Sequence, residues 1–223
     1  MNHEKTTDMT PDVDLSSRKY VITIGRSYGS GGRALGRALS ERLGIPFYDK
    51  ELLMEAARSS GMSADFFERN DERMPSFFQH LPGLSMSLNP MAWYGGSTAI
   101  SPDSIYRLQS DFIQSLAQQG PCVIVGRTAD YILRDHPDVI NIFVHAPVDV
   151  CVARVMERGE CETKEAARTL VEKTNRLRSN YYNFYTDKRW GHSTGYDLTL
   201  DSSRLPMEEL TDLVIEYMKR RLR

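Results

Sequence analysis

The sequence predicts an α/β fold, a mainly parallel sheet with helices on both faces. Short apolar, β-branched runs alternate with helical patterns along the chain. Runs such as Val123-Ile-Val125 lack the polar alternation of a half-wet strand, so they read as buried on both faces. The first run, Tyr20–Ile24, passes through a glycine-rich turn straight into a helix.

Taken in order, residues 1–17 are polar and lack the basic-then-apolar pattern of a targeting signal. They are expected as a disordered tail ahead of a single domain over 18–223. Strands are expected at Tyr20–Ile24, Pro46–Tyr48, Cys122–Val125, Ile140–Val144 and Asp197–Leu200. Helices are expected at Arg33–Leu43, Lys50–Ser59, Pro102–Gln119, Thr128–Arg134, Val148–Glu157, Lys164–Tyr185 and Met207–Leu222. Residues 70–101 break the rhythm. Pro75, Pro82, Gly83, Pro90, Gly95 and Gly96 alternate there with Phe77, Phe78, Trp93 and Tyr94, an aromatic content that favours an inserted lid or packing surface over free disorder.

The 223 residues and 40% hydrophobic content support a core of one domain's size. A net charge of −2 gives no global electrostatic case for nucleic acid or anionic membrane as partner. No apolar run approaches the roughly 18 residues needed to span a bilayer. Cys122, Cys151 and Cys161 show neither metal-knuckle nor disulfide-framework spacing, and a reducing cytoplasm suits them. No residue is singled out as a metal ligand. The aromatics of the insertion and of Tyr181, Tyr182 and Tyr185 suit either an ordinary core or a homodimer interface.

Four segments carry candidate chemistry. In the first, Gly25, Arg26, Ser27, Gly29, Ser30, Gly31, Gly32, Arg33 and Ala34 form a strand-to-helix loop that suits a phosphate cradle. The second segment brings Asp49 to the carboxyl edge of the sheet. There it can meet a sugar, a base or a metal-bound water, or cap the helix at Lys50. The third, Gly126-Arg127-Thr-Ala-Asp130, ends a buried strand at the same edge, and Arg127 suits bidentate contact with phosphate. In the fourth, Arg154, Arg176 and Arg178 belong to two successive helices that suit a cationic lid at about 158–190.

In this order the segments resemble the cytidylate kinase-like family, relatives of the nucleoside monophosphate kinases among the P-loop kinases. The telling stretches are Ile24–Arg33, Gly44–Leu52, Val123–Asp130, Arg178–Tyr182, and Trp190-Gly191 with Tyr196–Leu198. The resemblance implies a three-layer α/β/α P-loop kinase fold with a five-stranded sheet and a helical lid. It implies ATP as phosphoryl donor, Mg²⁺, and a small acceptor such as CMP or dCMP. By position, Arg33, Arg127, Arg176 and Arg178 become candidate catalytic cations. Asp49, Arg127, Asp130 and Arg154 become candidate acceptor residues.

The chain departs from the family pattern at several positions. Gly32 stands at the loop lysine, Ala34 near the hydroxyl that holds Mg²⁺, Thr128 after the Gly-Arg pair and Asn175 in the lid. Arg26, Arg33 and Arg37 are available to replace the lysine, and Arg33 is favoured by proximity. Two functions follow, a kinase or a nucleotide-binding regulator without turnover.

Overall fold

A computed structural model describes residues 18–49 and 102–223. Its strands are β1 (Val21–Arg26), β2 (Phe47–Tyr48), β3 (Cys122–Val125), β4 (Val139–His145) and β5 (Leu198–Asp201). Its α-helices are α1 (Gly32–Leu43), α2 (Pro102–Gln119), α3 (Ala129–Ile132), α4 (Val148–Glu157), α5 (Lys164–Tyr185) and α6 (Met207–Arg221). The expected tail, the expected helix at 50–59 and the insertion at 70–101 lie outside the described residues.

The five strands run in the order β2-β3-β1-β4-β5, and every pairing is parallel. Alternate residues of the central strand enter opposite cores, as the period of two demands. Ile22 and Ile24 pack with Leu35 and Leu39 of α1 and Val214 and Met218 of α6. Val21 faces the other way, toward Phe112, Ile113 and Leu116 of α2 and Leu133. The result is a three-layer α/β/α arrangement. A further apolar cluster joins α4 to α5 through Cys151, Val152, Val155, Ala167 and Val171. Among the described residues no helix is long and apolar enough to cross a membrane.

Several boundaries shift by one or two residues from expectation, and two of the shifts bear on the site. β1 runs on to Arg26, because Gly25 and Arg26 stay in register with Phe143 and Val144 of β4. The helix expected from Thr128 starts one residue later, because Thr128 has a left-handed backbone with φ of 55°. The chain passes from β3 on one side of β1 to β4 on the other. That reversal puts a crevice at the carboxyl ends of the strands, where open α/β sheets bind ligands.

Candidate active site

The turn after β1 is shaped to leave backbone donors free. Gly29 and Gly31 have φ of 78° and 81°, and Gly31 is the N-cap of α1 without a capping side chain. Among the described residues, the N–H groups of Gly29, Gly31, Gly32, Arg33 and Ala34 have no acceptor. Such a row at the start of a twelve-residue helix is an anion cradle, reinforced by the helix dipole. The rest of the turn is tied down. Ser27 N–H and Ser30 Oγ both donate to Val144 O, at 3.0 Å each, and Tyr28 N–H donates to Asn175 Oδ1 of α5 at 2.7 Å.

Around the cradle stands a group of arginines. The Arg26 side chain leaves the end of β1 and passes two glycines. A Cβ on Gly32 would lie 2.5 Å from Arg26 Cβ, and one on Gly126 would overlap the Arg26 guanidinium. Arg178 of α5 donates to Arg26 O at 3.0 Å and lies over the Tyr28 ring. Arg127 is held by the Tyr181 hydroxyl. Burial pushes all three guanidinium pKa values down, that of Arg178 to about 10, and for Arg26 the nearby Arg178 and Arg127 charges add to the effect. Among the described residues none of these three forms an ion pair with a carboxylate. A polyanion is the ligand such a cluster accommodates.

Arg127 is presented by a strained turn. Gly126, Arg127 and Thr128 have φ of 81°, 62° and 55° in succession. A non-glycine residue in this region costs roughly 1–2 kcal/mol. Thr128 Oγ1 lies 2.6 Å from Arg127 O and 3.3 Å from the Tyr106 hydroxyl, which help to hold the turn. Tyr106 in turn stacks on Tyr185 with centroids 4.0 Å apart.

The structure sorts the other expected residues. Arg33 Nε and Nη2 lie 2.7 and 2.6 Å from Oδ2 of Asp49, whose exposure is 4%. Asp49 and Arg33 therefore act as a pair on the β2 side. Arg154, expected on the acceptor, instead donates from Nη1 to Ser30 O and Ser202 Oγ and from Nη2 to Ser202 O. It braces the turn against the end of β5. Asp130, also expected there, accepts from the Tyr182 hydroxyl at 2.6 Å inside the α3–α5 contact. Arg176 is exposed, on the far side of α5 from Arg178. The helix pattern itself carried that distinction. Ala167, Val171 and Thr174 are buried at helical spacing, and the same stripe continues to Arg178, Tyr181 and Tyr182 but misses Arg176.

ATP suits this cradle as a polyphosphate. Among the described residues a resident Mg²⁺ does not find an all-protein donor set. Among the described residues no group of three or more His, Cys, Asp or Glu side chains is placed to hold a metal ion. The Ser30 hydroxyl is spent on the Ser27 and Val144 carbonyls, and Asp49 carries Arg33.

The profile of the cytidylate kinase-like family matches residues 21–204. The chain is 27% identical over 204 residues to a cytidylate kinase of Methanopyrus kandleri, covering 87% of this chain and 91% of that protein. It is 29% identical to an uncharacterized protein from Eubacterium ventriosum of known structure, with TM-score 0.67 and coverage of 89% and 98%. A shikimate kinase from Bacteroides thetaiotaomicron is 12% identical with TM-score 0.51, over 90% of this chain and 98% of that one, and shares the fold alone.

Proposed function

The chain belongs to the cytidylate kinase-like family, and from that premise we propose that it transfers the γ-phosphoryl group of ATP to a small acceptor, a nucleoside monophosphate such as CMP or dCMP. Family and fold support nucleotide-dependent phosphoryl transfer in general. The observation that carries this reading is the set of free N–H groups of Gly29, Gly31, Gly32, Arg33 and Ala34 beside three arginines without carboxylate partners among the described residues. Phosphoryl transfer needs little more from a protein than positioning and charge neutralisation.

In this reading the loop and the start of α1 hold the donor phosphates. Arg127, presented from the end of β3, meets the acceptor phosphate, and Arg178 of α5 spans the two. An acceptor phosphate oxygen forms a bond to the γ-phosphorus as the bond to the β–γ bridging oxygen breaks. The pair of electrons stays on the leaving ADP. The acceptor monophosphate is largely dianionic near neutral pH, so no general base is required. The Asp49–Arg33 pair shapes the acceptor side from β2.

The test is a panel of CMP, dCMP, AMP and non-nucleotide acceptors with ATP, with and without Mg²⁺, read as ADP formed. ADP release dependent on CMP or dCMP is expected. The absence of a side chain at Gly32 favours a second reading, a nucleotide-binding regulator. Tight ATP binding with no ADP formed on any acceptor selects that reading and overturns the kinase.

A further inference from the structure

We propose that Arg26, delivered from the end of β1, is the cation that contacts the transferring phosphoryl group in place of the absent loop lysine. The inference rests on the kinase reading above and deepens it. A P-loop lysine projects from the first turn of its helix toward the β- and γ-phosphates. Here that position is Gly32, and no side chain fits on it. Its Cβ would stand 2.5 Å from Arg26 Cβ and 3.2 Å from Val144 Cβ. The space where a lysine would begin is filled by the arginine itself.

The guanidinium then reaches Gly126, where a Cβ would overlap it. Two glycines, one from α1 and one from the end of β3, thus bound the path of a single side chain. Its head lies between the donor cradle and the turn that presents Arg127. A group moving from donor to acceptor crosses that region. Four charged groups act on Arg26: Arg178 of α5, Arg127 after β3, Asp49 after β2 and Arg33 of α1. The arginines outweigh the single acid, so this cluster is poised for an anion.

The other candidates are engaged elsewhere. Arg33 is held on Asp49 by two nitrogens and is 55% exposed. Arg37 lies over the Phe47 ring, 5.0 Å from its centroid, against β2. Arg154 is spent on Ser30 and Ser202. That leaves Arg26 as the loop-borne cation facing the cleft.

In the transfer step Arg26 neutralises charge on the γ-phosphoryl oxygens as the acceptor oxygen bonds to the γ-phosphorus and the bond to the bridging oxygen breaks, its electron pair leaving with ADP. Losing such a contact is expected to lower kcat by about 10²–10³-fold. A structural arginine gives a different signature, so two readouts are paired. Arg26→Met is expected to melt at or above the wild type without ligand, because it removes one of three crowded charges. The same variant is expected to lose its preference for ATP over AMP, measured by titration calorimetry. In the third arm, Arg26→Gly frees the space over Gly32, and Arg26→Gly/Gly32→Lys is expected to recover at least tenfold in kcat over Arg26→Gly.

The outcomes separate the two readings. Wild type that forms ADP while Arg26→Met keeps full kcat and full ATP preference overturns Arg26 and leaves the kinase standing. Arg26→Met that melts well below the wild type and retains the ATP preference assigns Arg26 a structural role and also overturns the proposal. Wild type that binds ATP without turnover, while Arg26→Met loses the preference, removes the kinase and with it a transfer role for Arg26.

Discussion

At Gly126 two constraints coincide in one residue. Its φ of 81° lies where side chains are strained, and a Cβ would overlap the guanidinium of Arg26. Gly126→Ala therefore incurs backbone strain of about 1–2 kcal/mol and also displaces a charge from the cleft. Denaturant melts are expected to show that loss of stability. Steady-state assays are expected to show a fall in kcat larger than the stability loss explains, since most of the protein stays folded. Gly126→Ala with wild-type kcat would mean that Arg26 has another way past the turn.

Helix α5 works as one inward-facing ruler. Asn175 takes Tyr28 N–H, Arg178 takes Arg26 O, Tyr181 holds Arg127 and Tyr182 holds Asp130. The spacing places all four on one face, so a small rotation of α5 reaches the loop, the Gly-Arg turn and α3 together. The Tyr182–Asp130 contact is the buried anchor. Burial raises the Asp130 pKa above 3.8, and the Tyr182 hydroxyl pulls it partly back. Tyr182→Phe removes that donor and pushes the folded-state value higher. An acid raised on folding is least costly below its unfolded value and most costly above its folded one. Unfolding free energies of Tyr182→Phe are thus expected to fall by about 1–3 kcal/mol at neutral pH. The deficit is expected to shrink as pH approaches 3.8 and Asp130 protonates. A deficit constant across that range would place its origin in packing rather than in the carboxylate.

The same elements show what the sequence could carry. Helices α2, α4 and α5 fall where the hydrophobic period puts them, because that period records which face is buried. Strand ends alone put the Gly-Arg turn and Asp49 at the carboxyl edge of the sheet. Apart from Arg176, which the buried stripe of α5 sets apart from Arg178, the destinations of the arginines are not legible in the sequence. Arg26 needed Gly126, a hundred residues away, to be given its path. Arg33 looked closest to the phosphates until the Asp49 carboxylate claimed it. Asp130 and Arg154 sit in motifs that suit an acceptor, and their partners Tyr182 and Ser202 come from elements late in the chain. Side-chain direction at a strand or helix end is a tertiary property.

For the molecule as a whole, a chain of net charge −2 concentrates three inward-facing arginines at one edge of its sheet. Without a ligand, that arrangement is a cost to the folded state, because half-buried like charges face one another. An anion in the cradle removes the cost, so folding and binding are linked. ATP at about a hundred times its dissociation constant is expected to add about 2.7 kcal/mol. For a protein of this size that raises the melting temperature by about 5–10 °C. Sulfate also stabilises proteins generally by exclusion from their surfaces, so a rise in sulfate alone decides nothing. The contrast with Arg26→Met decides it. General exclusion acts on both proteins equally, whereas occupancy of the cradle depends on the cluster. Scanning fluorimetry in sulfate and in chloride at matched ionic strength is expected to show a sulfate increment in the wild type that is several degrees larger than in Arg26→Met. Equal increments in the two proteins would mean that the arginines are already satisfied without an anion, and that the fold carries no charge strain for a nucleotide to relieve.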